Sequence, residues 1–306
     1  LSAIIIIIYT ILGGLLAVAW TDLIQGVLMI GTLVVLPIVS LFELLSFDQS
    51  LSELLKFDSI ERNSVFSGLS GFGALSVALG GMSWGLGYFG QPHLLIRYMA
   101  IKSVHDIKKA KWIAAFWAIP GISGAFMIGI VASGYFGEDF FIGKDPEIAM
   151  PLLAQTLLPA WIAGLLISGA VAAMMSTADS QLLVSTSAIS EDLKLNKVIK
   201  TRKSNKLTNT RYITIILGLF AYATAMYSEV SGDTIFGIVS FAWSGLGSSF
   251  GPAVILSLWW KKTTREGVIA GLLTGSFVTM IWGSSEFLKL IVTERLTSFV
   301  LAFIVV

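Results

Sequence analysis

The stretch GLLISGAVAAMMSTADSQLLVSTSAISED, which opens at Gly164, sets hydroxyls at Ser176, Thr177, Ser180, Ser185, Thr186 and Ser187 around a carboxylate, Asp179. On a helix Ser176, Asp179 and Ser180 fall at i, i+3 and i+4 and share one face, with Thr177 beside them. Hydroxyl, carboxylate and backbone carbonyl oxygens are hard ligands, suited to small hard cations. Multivalent metals ask for more carboxylates, so one or two carboxylates among several hydroxyls match a monovalent cation, Na⁺ foremost. The hydroxyls alone would read as spacers or hydrogen-bond glue between helices. A carboxylate inside so apolar a stretch is costly, and it moves the reading to a functional site.

A second stretch, GLSGFGALSVALGGMSWGLGYFGQPHLLIRYMA, carries glycine at 68, 71, 73, 80, 81, 85, 87 and 90, with Pro92 just beyond. That glycine density weakens a helix and permits the unwinding with which discontinuous membrane helices form midplane sites. Trp84 and Tyr88, at i and i+4, can wall an apolar pocket while the indole N–H and phenol O–H offer polar handles. An interfacial aromatic belt with glycines serving close packing fits this segment equally well. In SFAWSGLGSSFGPAVI, Gly245, Gly247, Gly251 and Pro252 mark a kink, either a hinge or a static packing feature. Asp22 is a second carboxylate candidate, and a helix N-cap is its competing role.

These residues sit in a chain that is apolar almost throughout. Of 306 residues 55% are hydrophobic and 13% charged, with a mean hydropathy of +0.84. Soluble domains carry roughly 25% charged residues. Nine apolar runs separated by charge lie at about 1–20, 22–45, 67–90, 112–136, 158–187, 211–228, 234–260, 266–283 and from about 290 onward. Several approach or pass the ~20 residues needed to cross hydrocarbon, and in lipid each must be helical to satisfy its backbone. With no long Pro- or Ser-rich linker, residues 1–306 read as a single membrane domain of an all-α protein. The first two runs are joined only by Trp20-Thr21-Asp22 and are expected to form a tight helical hairpin at that junction. The leading run has no basic n-region or small-residue cleavage site, so it does not read as a signal peptide. The sequence is expected to be a fragment, entered partway through a membrane domain and ending inside another apolar run.

Charge placement supplies the orientation. Fifteen of the 20 Lys and Arg fall in three loops, 97–111, 194–211 and 261–265. Nine alternating spans put those loops on one side, whereas the opposite loops carry Asp48, Glu53, Asp58, Glu61, Glu138, Asp139, Asp145, Glu147, Glu229 and Asp233. The positive-inside rule makes the basic side cytoplasmic. The 194–211 loop reads foremost as a topology signal and secondarily as an anionic-lipid or regulatory site. A net charge of +1 gives no case for nucleic acid, the absence of Cys excludes disulfides and thiolate chemistry, and His93 and His105 are too few for a His-built metal centre.

The stretches ILGGLLAVAWTDLIQ, MSWGLGYFGQPHLLIRYMA, AAMMSTADSQLLVSTSAISEDL and SFAWSGLGSSFGPAVILSLWW together resemble the sodium:solute symporter family, and specifically its sodium/proline branch. The resemblance covers essentially the whole chain, with GQPH and the MST–SQLLV–S–ED pattern its most specific parts. It implies a LeuT-like inverted-repeat helical bundle. About nine transmembrane helices would be present here, core helices four to ten plus trailing helices, and the branch's first four helices would be missing. It also implies a sodium site at Ala173 (backbone oxygen), Ser176 and Thr177, whose other ligands lie on an absent helix. A second cation site, found in some members, would take Asp22, Ser176, Asp179 and Ser180. Asp179 departs from the neutral residue often found at its position. The proline pocket would take Trp84, Tyr88 and Pro92.

The activity implied by the resemblance is Na⁺-coupled import of L-proline by alternating access across a cytoplasmic membrane, with Na⁺ as coupling ion, no other cofactor and no enzymatic conversion. Another small solute, such as a different amino acid or a betaine-like osmolyte, is the rival within the class. A symporter-like sensor module is the rival outside it.

Overall fold

The computed structural model describes residues 2–46, 64–137, 140, 145–192, 206–231 and 234–306, and among these it contains helices and no strand. In chain order they are α1 (Ser2–Leu45), α2 (Phe72–Gly87), α3 (Pro92–Met99), α4 (Val104–Phe136), α5 (Ala149–Leu157), α6 (Ala160–Ser187), α7 (Lys206–Ser231), α8 (Ile235–Trp259), α9 (Arg265–Gly283), α10 (Glu286–Ile291) and α11 (Glu294–Val305). Five of the described helices are long and apolar enough to cross a membrane: α1, α4, α6 continued to Glu191, α8 and α9. Their apolar windows stay largely uncovered by protein, with 11% of the window buried in α1 and 44% in α8. Apolar surface on that scale needs lipid around it, which makes this a multi-pass membrane protein.

Contacts divide the chain into two compact units, Leu1–Asp58 with Ile101–Tyr222, and Ser59–Ala100 with Ala223–Val306. In the first unit Leu36 and Leu44 of α1, Ile128, Val131 and Ala132 of α4, Leu153 and Ala154 of α5, and Ala163 and Leu166 of α6 form the buried core. The helices approach closely where side chains are small. A Cβ added at Gly169 of α6 would lie 2.1 Å from the Thr32 hydroxyl, and that hydroxyl donates to the Leu166 carbonyl at 2.9 Å.

One expectation is corrected here. Trp20, Thr21 and Asp22 are not a junction between helices; they lie inside α1, and Thr21 donates to the Ala17 and Val18 carbonyls as a helical residue does. The break falls at Gly14, whose φ of 56° and ψ of −152° lie in a region that only glycine adopts without strain. A straight helix would hold positions 9 and 25 roughly 24 Å apart, yet the Tyr9 hydroxyl interacts with Gln25 and Asp22. The chain doubles back at Gly14, so the hairpin exists with a different turn. Asp22, well past that turn, cannot be an N-cap.

In the second unit the glycine-rich run is discontinuous. α2 ends at Gly87, a 3₁₀ turn covers Tyr88–Gly90, Gln91 is extended, and α3 starts at Pro92. Proline suits a first helical turn because it has no N–H to leave unpaired. α8 runs through Pro252 as one helix. Its Gly247 is a contact point, since an added Cβ would meet the Gly87 Cα at 2.5 Å.

Candidate functional site

The first unit holds the oxygen-rich stretch. α6 presents the Ser176 hydroxyl 2.9 Å and the Thr177 hydroxyl 3.2 Å from the Ala173 carbonyl, so three oxygens cluster on a partly open stretch of the helix. One turn on, Asp179 is fully buried and Ser180 nearly so. Ser180 donates to Asp179 Oδ1 at 3.2 Å and to the Ser176 carbonyl at 2.9 Å. The face expected to hold Ser176, Asp179 and Ser180 together, with Thr177 beside them, is therefore divided by burial into an outer cluster (Ala173, Ser176, Thr177) and an inner carboxylate pair of Asp179 and Ser180.

The inner pair has a neighbour that the sequence reading missed. Tyr9 Oη donates to Asp179 Oδ2 at 2.6 Å, the short distance of a charge-assisted bond. Asp22 and Gln25, on the α1 limb beyond Gly14, also interact with Tyr9. The bend thus brings Tyr9, bonded to Asp179, within electrostatic reach of Asp22 and hydrogen-bond reach of Gln25. Among the described residues no group of three or more His, Cys, Asp and Glu could hold a metal ion, so the donor set is one of hydroxyls, carbonyl and few carboxylates.

The second unit holds the aromatic residues. Trp84 lies 5.9 Å from the Trp243 ring and 5.8 Å from Phe236, and Tyr88 meets Trp243 edge-on at 4.7 Å. Trp243 Nε1 donates to the Trp84 carbonyl at 3.2 Å. The Trp243 carbonyl accepts from the Gln91 amide at 3.2 Å, and Gln91 also donates to the Gly87 carbonyl. Gln91 is buried at the helix break and supplies donors where the helical ladder stops. Trp84 and Tyr88 are held by a common partner, while Pro92 starts α3 just past the break. Trp243 and Gln91 were not singled out in the sequence. The i, i+4 spacing that paired Trp84 with Tyr88 carries no information about a partner more than 150 residues away.

The loop 194–211 falls mostly outside the described residues, as do Asp48, Glu53, Asp58, Glu61, Glu138, Asp139 and Asp233. The other two basic loops are described. Lys102, Lys108, Lys109 and Lys111 are carried by α4 and the turn before it, and Lys261 and Lys262 lie between α8 and α9.

Membrane-length apolar helices, a broken helix and a buried carboxylate on one of those helices define a polytopic membrane protein with polar groups set inside its spans. The family model for the sodium:solute symporter family matches residues 1–275. The chain belongs to that family. It is 39% identical over 281 residues to the sodium/proline symporter of Escherichia coli (strain K12), covering 90% of this chain and 54% of that protein. To the high-affinity proline transporter PutP of Bacillus subtilis (strain 168) it is 38% identical, over 93% of this chain and 59% of the relative. To the osmoregulated proline transporter OpuE of the same organism it is 33% identical, over 99% and 61%. The chain thus spans little more than half the length of these curated relatives.

Proposed function

We propose that residues 1–306 form part of a secondary active transporter, as one symporter domain, that couples Na⁺ entry to import of L-proline by alternating access. The observation that carries the reading is the clustering of the Ala173, Ser176 and Thr177 oxygens within about a hydrogen-bond length on α6, in a member of this family. Such neutral oxygens replace the hydration shell of a monovalent cation without fixing it too tightly for release. Asp179 and Ser180, with Asp22 facing the same Tyr9, are the natural donors for a second cation. The likeness to relatives named for proline supports the solute.

Trp84 and Tyr88 would provide the apolar wall for the pyrrolidine ring, and Pro92 would fix the start of α3 beside it. No bond of the solute is made or broken, so the protein converts nothing. The basic loops 97–111, 194–211 and 261–265 would face the cytoplasm from the cell membrane, in keeping with the positive-inside rule.

The test is counterflow uptake by the full-length protein in proteoliposomes, against a panel of amino acids and osmolytes, with and without Na⁺. Na⁺-dependent exchange of labelled L-proline is the expected result. Preference for another solute, or exchange indifferent to Na⁺, would reject the assignment.

A further inference from the structure

Arg295 brings a full positive charge into the apolar run that ends the chain, and its place is specific. The guanidinium carbon lies 4.6 Å from the centroid of the Trp84 ring. Nη1 donates to the Ser240 hydroxyl of α8, and the neighbouring Glu294 carboxylate stands 3.8 Å away. The side chain is only 13% exposed. Phe236 and Trp243 flank the same indole, each tilted by 40°, and Trp84 remains partly exposed. All these residues belong to the second unit.

An indole attracts cations through the negative charge of its ring faces. With a guanidinium already on one face, its charge offset in part by Glu294, a second cation approaching the ring meets a like charge roughly 9 Å off, across a thin apolar layer that screens poorly. The methylene edge of a ring, with its nitrogen turned away, meets no such repulsion. A secondary ammonium can turn its N–H groups to oxygens elsewhere, whereas a quaternary ammonium has no N–H and depends on aromatic faces.

We infer that Arg295 is a specificity-determining residue of the Trp84 site: it reserves the indole for the methylene edge of a ring whose secondary ammonium is bound elsewhere, and turns away solutes that would bind it through a quaternary ammonium group. The inference rests on the reading of Trp84 as part of the solute pocket and goes beyond it, because it selects between the two solute classes that an aromatic wall could serve.

The experiment is equilibrium competition against labelled L-proline on the purified full-length protein at saturating Na⁺. The competitors are unlabelled L-proline and N,N-dimethyl-L-proline, which share a skeleton and differ in the quaternary nitrogen. The wild type is expected to prefer proline. Arg295→Gln should move the ratio of the two affinities at least tenfold toward the dimethyl compound, about 1.4 kcal/mol, and Arg295→Lys should stay within about threefold of wild type. An unchanged ratio in Arg295→Gln overturns the inference, as does an Arg295→Lys shift equal to that of Gln, which would make Arg295 a packing element. If Arg295→Gln is not recovered as monodisperse protein, Arg295→Met replaces it under the same criteria. If that also fails, Arg295→Lys decides alone: a ratio within threefold supports the inference and a tenfold shift ends it. Absence of Na⁺-dependent proline binding in the wild type would instead end the solute reading itself, a failure visible before any variant is compared.

Discussion

Tyr9 and Asp179, 170 residues apart in sequence, share a 2.6 Å hydrogen bond in which the phenol donates to a fully buried carboxylate. Without the reversal at Gly14, Tyr9 would be carried away from Gln25 and from the electrostatic reach of Asp22. The bond ties the short first limb of α1 to α6, the helix that carries Ala173, Ser176 and Thr177. Removing the donor should therefore be felt. Tyr9→Phe keeps the ring and deprives a buried carboxylate of its shortest bond, at an expected cost of about 1–3 kcal/mol. Thermal unfolding of the detergent-solubilised protein reads this directly, and an unaltered midpoint would show that the bond contributes nothing.

Ser176→Ala and Thr177→Ala each remove one oxygen from the outer cluster while leaving the helix intact. If these oxygens serve Na⁺, the concentration giving half-maximal solute binding should rise several-fold, in keeping with coupling of about 1–3 kcal/mol between linked sites. Identical Na⁺ activation curves for both variants and the wild type would reduce the hydroxyls to helix packing.

Two glycines of the second unit should respond in opposite directions. A methyl at Gly247 would sit 2.5 Å from the Gly87 Cα, where backbone meets backbone and neither can yield. Gly247→Ala is expected to destabilise by about 1–3 kcal/mol. Gly81, inside α2, has no atom within 4 Å of the place an added methyl would occupy, and it tolerates the same change. Gly81→Ala should stabilise by about 0.4–1 kcal/mol through reduced unfolded-chain entropy. Equal effects at the two sites would contradict the close approach of α2 and α8.

Much of the protein could be read from its sequence, for a physical reason in each case. Lipid cannot hydrogen-bond a backbone, so apolar runs bounded by charge announced helices, and the long observed helices fall on those runs, whereas the short α3, α5 and α10 lie wholly or mostly between them. Glycine density and Pro92 announced the break between α2 and α3, because both residues act on the backbone locally. Helical spacing put Ser176, Asp179 and Ser180 on one face with Thr177 beside them, and only the family resemblance drew in the Ala173 carbonyl, to which the Ser176 and Thr177 hydroxyls donate.

Which way each helix faces was left to the packing. In a soluble helix polarity marks the outward side; in a membrane helix both sides are apolar, and periodicity cannot tell lipid from protein. The sequence therefore showed that Trp84 and Tyr88 share a face but not that the face meets Trp243, Phe236 and Arg295. It showed Asp179 as costly but not that Tyr9 supplies its shortest bond. The turn of the α1 hairpin was misplaced for the same reason. Trp20-Thr21-Asp22 carries the polar character of a junction, yet the chain turns at Gly14 of the Gly13-Gly14 pair, where a glycine takes positive φ without strain. Local chemistry sets which residues can bend, bond or stack, and the fold settles which of them meet.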